Sequence, residues 1–296
     1  MALRTLAFLL ALVLPTAALS TPAFAQSDDL TKRHQQMLYA VVQVQAGPAS
    51  GSGTVIHSAI HGGDYETFVL TNFHVVGSAV TVEEEWDPKA QKDVKRERRE
   101  PVRVLWQEYN DLSAFVGTSG KTADIVAYDE AADLALLKIR DRERGALHVA
   151  RLLPEGQALY MSEPVFAVGG GLGKPPFMSQ GVLGYLHEQI EGYPYLLSTA
   201  PIIFGNSGGA LFRRGEHCRC YEMIGVPSRV SAAWFTVVPH MAWSIAMETV
   251  REFLRENEHG FILGDTRVVE DADVAAPMEA PLDDAGDAPG DADSDG

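Results

Sequence analysis

The sequence predicts an all-β protein, built as one large β domain or as two small β-barrels packed together. Three observations lead there. Both ends are separable, which leaves roughly 240 residues, Gln26 to Val269, to form the folded part. That stretch reads as many short strands at roughly 8 to 15 residue spacing, punctuated by Gly, Pro and Asp. No alternation of strand with helix runs through it, which argues against the parallel βα classes.

The ends justify themselves by composition. Residues 1–25 open with Arg4, continue through an apolar run from Leu6 to Leu14 and close on Ala23-Phe24-Ala25, a small-x-small cleavage signature. That is the pattern of a secretory signal peptide, its apolar run too short to span a bilayer; an uncleaved anchor is the alternative. No other stretch is apolar enough to span, so an exported chain, periplasmic or secreted, with no membrane span after signal cleavage is expected. Residues 270–296 carry ten Asp or Glu and no Lys or Arg among Ala, Pro and Gly. Such a segment has too little apolar surface to offset the entropy of ordering it, and a disordered acidic tail is expected. The formal net charge of −16 therefore sits mostly on the tail. No basic groove compensates it, so nucleic acid is not an expected partner. The final "DADSDG" imitates the opening of a calcium loop but lacks the glutamate that would complete it.

Between the ends, "YAVVQVQ" (39–45), "GSGTVIH" (51–57) and "TFVLTNF" (67–73) are rich in β-branched and aromatic residues. Residues 102–106, 122–129, 134–139, 164–169, 181–187, 195–200, 209–212, 222–226 and 234–239 continue the series. One helix is expected at 242–257, where Trp243, Ala246, Met247, Val250 and Leu254 form an apolar stripe. Glu83 to Glu100 is acidic and then basic, and reads as a solvated hairpin or loop. Cys218 and Cys220 are the two cysteines. A bridge between them closes a small ring, and their redox state stays open at this level. His217 beside them fits no standard metal-ligand spacing with the two thiols.

The chemistry gathers around "FGNSGGALF" (204–212), where a serine hydroxyl lies among three glycines. Serine is a poor nucleophile unless a base activates it and a third group orients that base. His74 is the candidate base because it ends a predicted strand in "FVLTNFHVVG". Asp133 stands directly before the apolar strand Leu134 to Ile139, where a carboxylate needs a donor such as an imidazole N–H. Gly205 and Ser207 can aim two backbone N–H groups together at a carbonyl oxygen.

"VLTNFHVV", "DLALLKI" and "GNSGGALF", in that order, resemble the chymotrypsin-fold (trypsin-like) serine proteases, in their bacterial HtrA-like branch. "SGSGTVI" and "VFAVGGGLG" add to the likeness, which covers roughly residues 36 to 256. The resemblance implies two packed six-stranded antiparallel β-barrels, near 36–140 and 150–240, followed by the C-terminal α-helix. It implies His74 as general base, Asp133 as its orienting carboxylate and Ser207 as the acylated nucleophile. Gly205, Asn206 and Ser207 would form the oxyanion hole, and Ile202, Pro227 and Ser228 would line an apolar substrate pocket. Polypeptides would be the substrates, and no metal or cofactor is needed by this route. Asn206 stands where zymogen-activated members carry Asp, so activation by a newly cut N-terminal amine is not expected. HtrA-like proteins usually continue into PDZ domains, whereas this sequence runs into its acidic tail.

Two other readings compete. A catalytically silent trypsin-like fold could serve as a binding module, although all three triad residues are present. "GNSGG" also satisfies the G-x-S-x-G elbow of α/β-hydrolase esterases, which would need Glu222 with His240 or His259 after the serine. "GGGLGKPP" (169–176) fails as a phosphate loop, because Val168 holds the first glycine position and Pro175 follows Lys174. It reads instead as a loop beside the substrate cleft.

Overall fold

The computed structural model describes residues 23–89, 91–110, 112–140, 147–234 and 236–265. The expected tail lies outside them, as does the expected leader except for its last three residues. The first barrel is closed in the order β1 (Val41–Ala46), β2 (Ala49–His61), β3 (Asp64–Thr71), then β8 (Leu134–Ile139), β7 (Ala114–Asp129) and β6 (Val102–Asn110). The hairpin of β4 (Val80–Asp87) and β5 (Lys92–Arg99) stands outside it, with Glu83 opposite Arg96 and Asp87 opposite Lys92. The second barrel runs β10 (Phe177–Ile190), β11 (Tyr193–Ser198), β14 (Thr236–Ala246), β13 (Tyr221–Ala233), β12 (Ala210–Arg214) and β9 (Pro164–Gly169). All strand pairs in both barrels are antiparallel. That arrangement removes the α/β-hydrolase alternative, and Glu222 faces Arg213 and Arg151 at 3.5 Å rather than a histidine.

Strand β8 explains why a continuous apolar run can sit in a barrel of alternating pattern. Ala135, Leu137 and Ile139 point into the first barrel with Val42, Val44, Val55 and Val69. Leu134 and Leu136 point the other way, into the cluster that Val41, Phe68 and Leu70 share with the second barrel. Both faces of β8 are therefore buried from Leu134 to Leu137, and each of its leucines gains the ~2 kcal/mol typical of removing Leu from water. The residue immediately before this strand, Asp133, is thereby held at the seam between the barrels.

Two expectations are corrected. His74 does not end a strand: β3 stops at Thr71, Asn72 is extended (φ −82°, ψ 149°), and His74 lies in a one-turn helix, α2 (Phe73–Val76). The C-terminal helix, α3 (Met247–Glu256), starts at Met247 and not at 242. Ala242 to Ala246 instead pair with β13 and Trp243 with Leu197 of β11, so sheet pairing overrides a local helical period. The second barrel accordingly continues to Ala246, past residue 240.

A helix not foreseen in the sequence, α1 (Ala23–Arg33), docks on the second barrel. Tyr221 donates to Asp29 at 2.9 Å and accepts from Arg33 at 3.1 Å, and the Arg33 guanidinium lies 4.9 Å above the Phe166 ring. Cys218 and Cys220 are joined as a disulfide across a single residue.

Candidate active site

The first barrel supplies an imidazole and a carboxylate in close contact. His74 Nδ1 lies 2.9 Å from both oxygens of Asp133, and the His74 backbone N–H donates to Asp133 Oδ1 at 3.0 Å. An ionised carboxylate can only accept, so Nδ1 carries the proton and Nε2 is left as the basic nitrogen. The ring is half exposed, whereas Asp133 is buried. Asp133 itself takes a left-handed conformation (φ 55°), which Asp tolerates better than most residues. Asn72 Nδ2 holds its carbonyl at 2.8 Å, and Asp129 Oδ1 caps the preceding turn at Ala131 and Ala132.

Burial alone would push the Asp133 carboxyl upward. The hydrogen bonds and charge of His74, with the Ser228 hydroxyl at 2.6 Å from Oδ2, outweigh that and hold it below its ordinary value of 3.8. Ser228, expected in the substrate pocket, thus spends its hydroxyl on Asp133. It lies 95 positions away in sequence and on the other barrel, so no local signal could have paired the two.

Ser207 lies in the loop between β11 and β12, clamped from both barrels. Its carbonyl accepts from Ser52 N at 2.8 Å, and the next N–H, of Gly208, donates to Pro227 O at 3.0 Å. Gly208 has φ +81°, and a Cβ there would stand 2.2 Å from Ser52 O and 2.4 Å from Thr71 Oγ1. The serine turn therefore rests directly against the end of β3, two to three residues before His74. Among the described residues, no hydrogen bond joins the Ser207 hydroxyl to His74; such contacts often tighten only with substrate present. Gly208→Ala is expected to lower stability by at least about 3 kcal/mol, because backbone strain and a backbone clash coincide. A denaturant midpoint within error of wild type would refute this close packing.

The N–H groups of this turn divide into two sets. Asn206 N donates to Ile203 O at 3.1 Å and Gly209 N to Asn206 O at 3.0 Å. Among the described residues, the N–H groups of Gly205 and Ser207 have no acceptor. The buried Asn206 side chain accepts from Ile203 N at 3.3 Å, which braces the turn from within. Of the expected pocket residues, Ile202 is buried in the shared core with its N–H on Pro239 O, and Pro227 is buried with its carbonyl on Gly208.

A family model, the trypsin-like peptidase domain, matches residues 51–218, more than half of the chain. The chain belongs to the trypsin-like peptidase family. Its curated relatives include the magnetosome formation protease MamE of Magnetospirillum gryphiswaldense, 29% identical over 166 residues, 54% of this chain and 17% of that protein. Another is a probable periplasmic serine endoprotease, DegP-like, from Pseudomonas fluorescens, 24% identical over 61% of this chain and 29% of its own length. This trypsin-like chain thus spans less than a third of the curated relatives it matches. Among solved structures, the serine endoprotease from Yersinia pestis superposes with a TM-score of 0.53 at 20% identity, covering 81% of this chain and 68% of its own. The HtrA-type protease AlgW with a tripeptide gives 0.54 at 18% identity, covering 78% and 64%. These superpositions place the two barrels in the HtrA-type protease fold.

Proposed function

We propose that this trypsin-like peptidase is an exported serine endopeptidase. Ser207 is its nucleophile, His74 its general base and then acid, and Asp133 the carboxylate that orients the imidazole. The observation that carries the reading is the His74–Asp133 pair, which leaves Nε2 basic beside a serine turn with two N–H groups that have no acceptor among the described residues.

The chemistry follows from those atoms. Ser207 Oγ attacks the scissile carbonyl carbon while its proton passes to His74 Nε2. The carbonyl oxygen becomes an oxyanion that the Gly205 and Ser207 N–H groups stabilise. The imidazolium formed is stabilised by Asp133 and gives its proton to the departing amine, leaving an acyl-enzyme. Water, deprotonated by the same imidazole, then attacks the ester, and Ser207 regains its proton as the acid product leaves. Ile202 and the strand holding Pro227 and Ser228 border the side-chain pocket, where the lack of a carboxylate near Ile202 favours apolar residues over Arg or Lys.

Because Asn206 already caps Ile203, the turn has no carboxylate awaiting a new N-terminal amine. The protein should therefore react with a fluorophosphonate probe as isolated, with the adduct mapped by mass spectrometry to Ser207 alone. An adduct appearing only after proteolytic trimming would overturn the self-braced turn. No adduct on folded protein would favour the silent binding module.

A further inference from the structure

We propose that Gln43, on the first barrel, is a positioning residue that sets the direction of the Gly205 N–H in the second. The inference rests on the serine-peptidase reading. Gln43 lies on β1 and is only 7% exposed. A buried primary amide costs free energy unless every donor and acceptor is used, and here the partners lie far along the chain. Its Nε2 donates to Gly173 O at 3.0 Å and to Lys174 O at 2.8 Å. Carbonyls accept only, so the amide must face them with its nitrogen. Its Oε1 accepts from Gln107 Nε2 at 3.0 Å, and Gln107 Oε1 accepts in turn from Thr118 Oγ1 at 2.8 Å. A relay of side-chain amides on the first barrel thus fixes the orientation of Gln43.

What Gln43 holds is the tight turn at Gly171–Gly173. From that turn the Leu172 N–H donates to Phe204 O at 2.7 Å. The peptide bond is planar and trans, so pinning the Phe204 carbonyl on one side sends the Gly205 N–H to the other. Turning this peptide over would aim an oxygen where a donor is needed and remove half of the donor pair. Ser52 adds a second restraint, its hydroxyl donating to Gly205 O at 2.7 Å while accepting from Gly170 N at 2.8 Å.

The glycines of 169–171 let these parts close on one another. A Cβ on Gly170 would lie 2.8 Å from Lys174 O and 3.3 Å from Gln43 Cγ, and one on Gly171 would lie 2.9 Å from Asn206 Oδ1. Gly205, at φ +100°, packs against Gly170 O. The sequence "GGGLG" is therefore a mould for the serine turn, and Gln43 is the anchor of that mould on the opposite barrel.

The test compares wild type with Gln43→Met, which keeps the volume, and Gln43→Glu, which keeps an acceptor but loses the donor. Hydrogen exchange followed by amide should accelerate at Leu172 by about tenfold or more, while Val69 and Leu137 in the first barrel stay protected. Fluorophosphonate labelling should lose about tenfold or more in its maximal rate, with the probe's apparent affinity within about threefold of wild type. Unchanged exchange at Leu172 in both variants overturns the proposal, whatever the labelling does. Exchange that rises equally at Val69 and Leu137 assigns Gln43 to barrel packing and also overturns it. Wild type that fails to label overturns the serine-peptidase reading, and the exchange arm then decides the anchor by itself.

Discussion

Ser207→Ala is expected to reduce hydrolysis of an unfolded protein substrate by about a millionfold, close to the limit of detection. The magnitude is large because the serine and histidine act as one unit: without the hydroxyl, the basic Nε2 has no proton to take and no acyl-enzyme can form. The fold should not register the change. Ser207 is held through its carbonyl, on Ser52 N, and through the Gly208 N–H on Pro227 O, and alanine keeps both groups. Thermal midpoints of the two proteins should agree, and fluorophosphonate adducts should vanish. A variant that still cleaves at a measurable fraction of the wild-type rate would place the nucleophile elsewhere.

Asp133→Asn should be nearly as severe, about ten-thousandfold in maximal rate. The replacement amide can donate to Nδ1, which stabilises the tautomer with its proton on Nε2 and removes the base. It also leaves the Ser228 hydroxyl without a charged acceptor across the barrel seam. The pH dependence of stability provides a separate readout. The Asp133 carboxyl is held below its ordinary value of 3.8, the usual sign for a carboxylate that gains partners on folding. Its contribution is therefore fully present above the unfolded-state value and is lost as pH falls through the lower folded-state value. Wild type should lose stability along that acid limb, and Asp133→Asn should show a shallower loss there. Denaturant titrations from pH 6 down to about 2.5 would test this, and identical acid limbs would show that the carboxylate is not stabilised by folding.

The fold was readable because its signals are local and repeated. β-branched and aromatic runs between Gly, Pro and Asp marked nearly every strand, although β7, β10, β13 and β14 extend well past their apolar centres. The lengths of those extensions follow from cross-strand pairing, to which single-strand composition is blind. The helix expected from 242 gives way to strand up to Ala246 for the same reason, since Ala242 to Ala246 fit a helical period and a strand register alike, and the neighbours β11 and β13 decide.

Of the candidate site, the sequence by itself determined residue types and order: an imidazole after an apolar strand, a carboxylate before one, and a serine among glycines. Those choices are written in short windows, where residue chemistry limits what a position can do. Only the tertiary structure decided the supporting groups. Ser228 reaches Asp133 and Gln43 reaches Gly173 and Lys174 across the two barrels. Such pairings join residues about a hundred positions apart, and their energy comes from burying polar groups that must then find partners. No local pattern encodes which partner each will find; that is settled when the barrels close and pack.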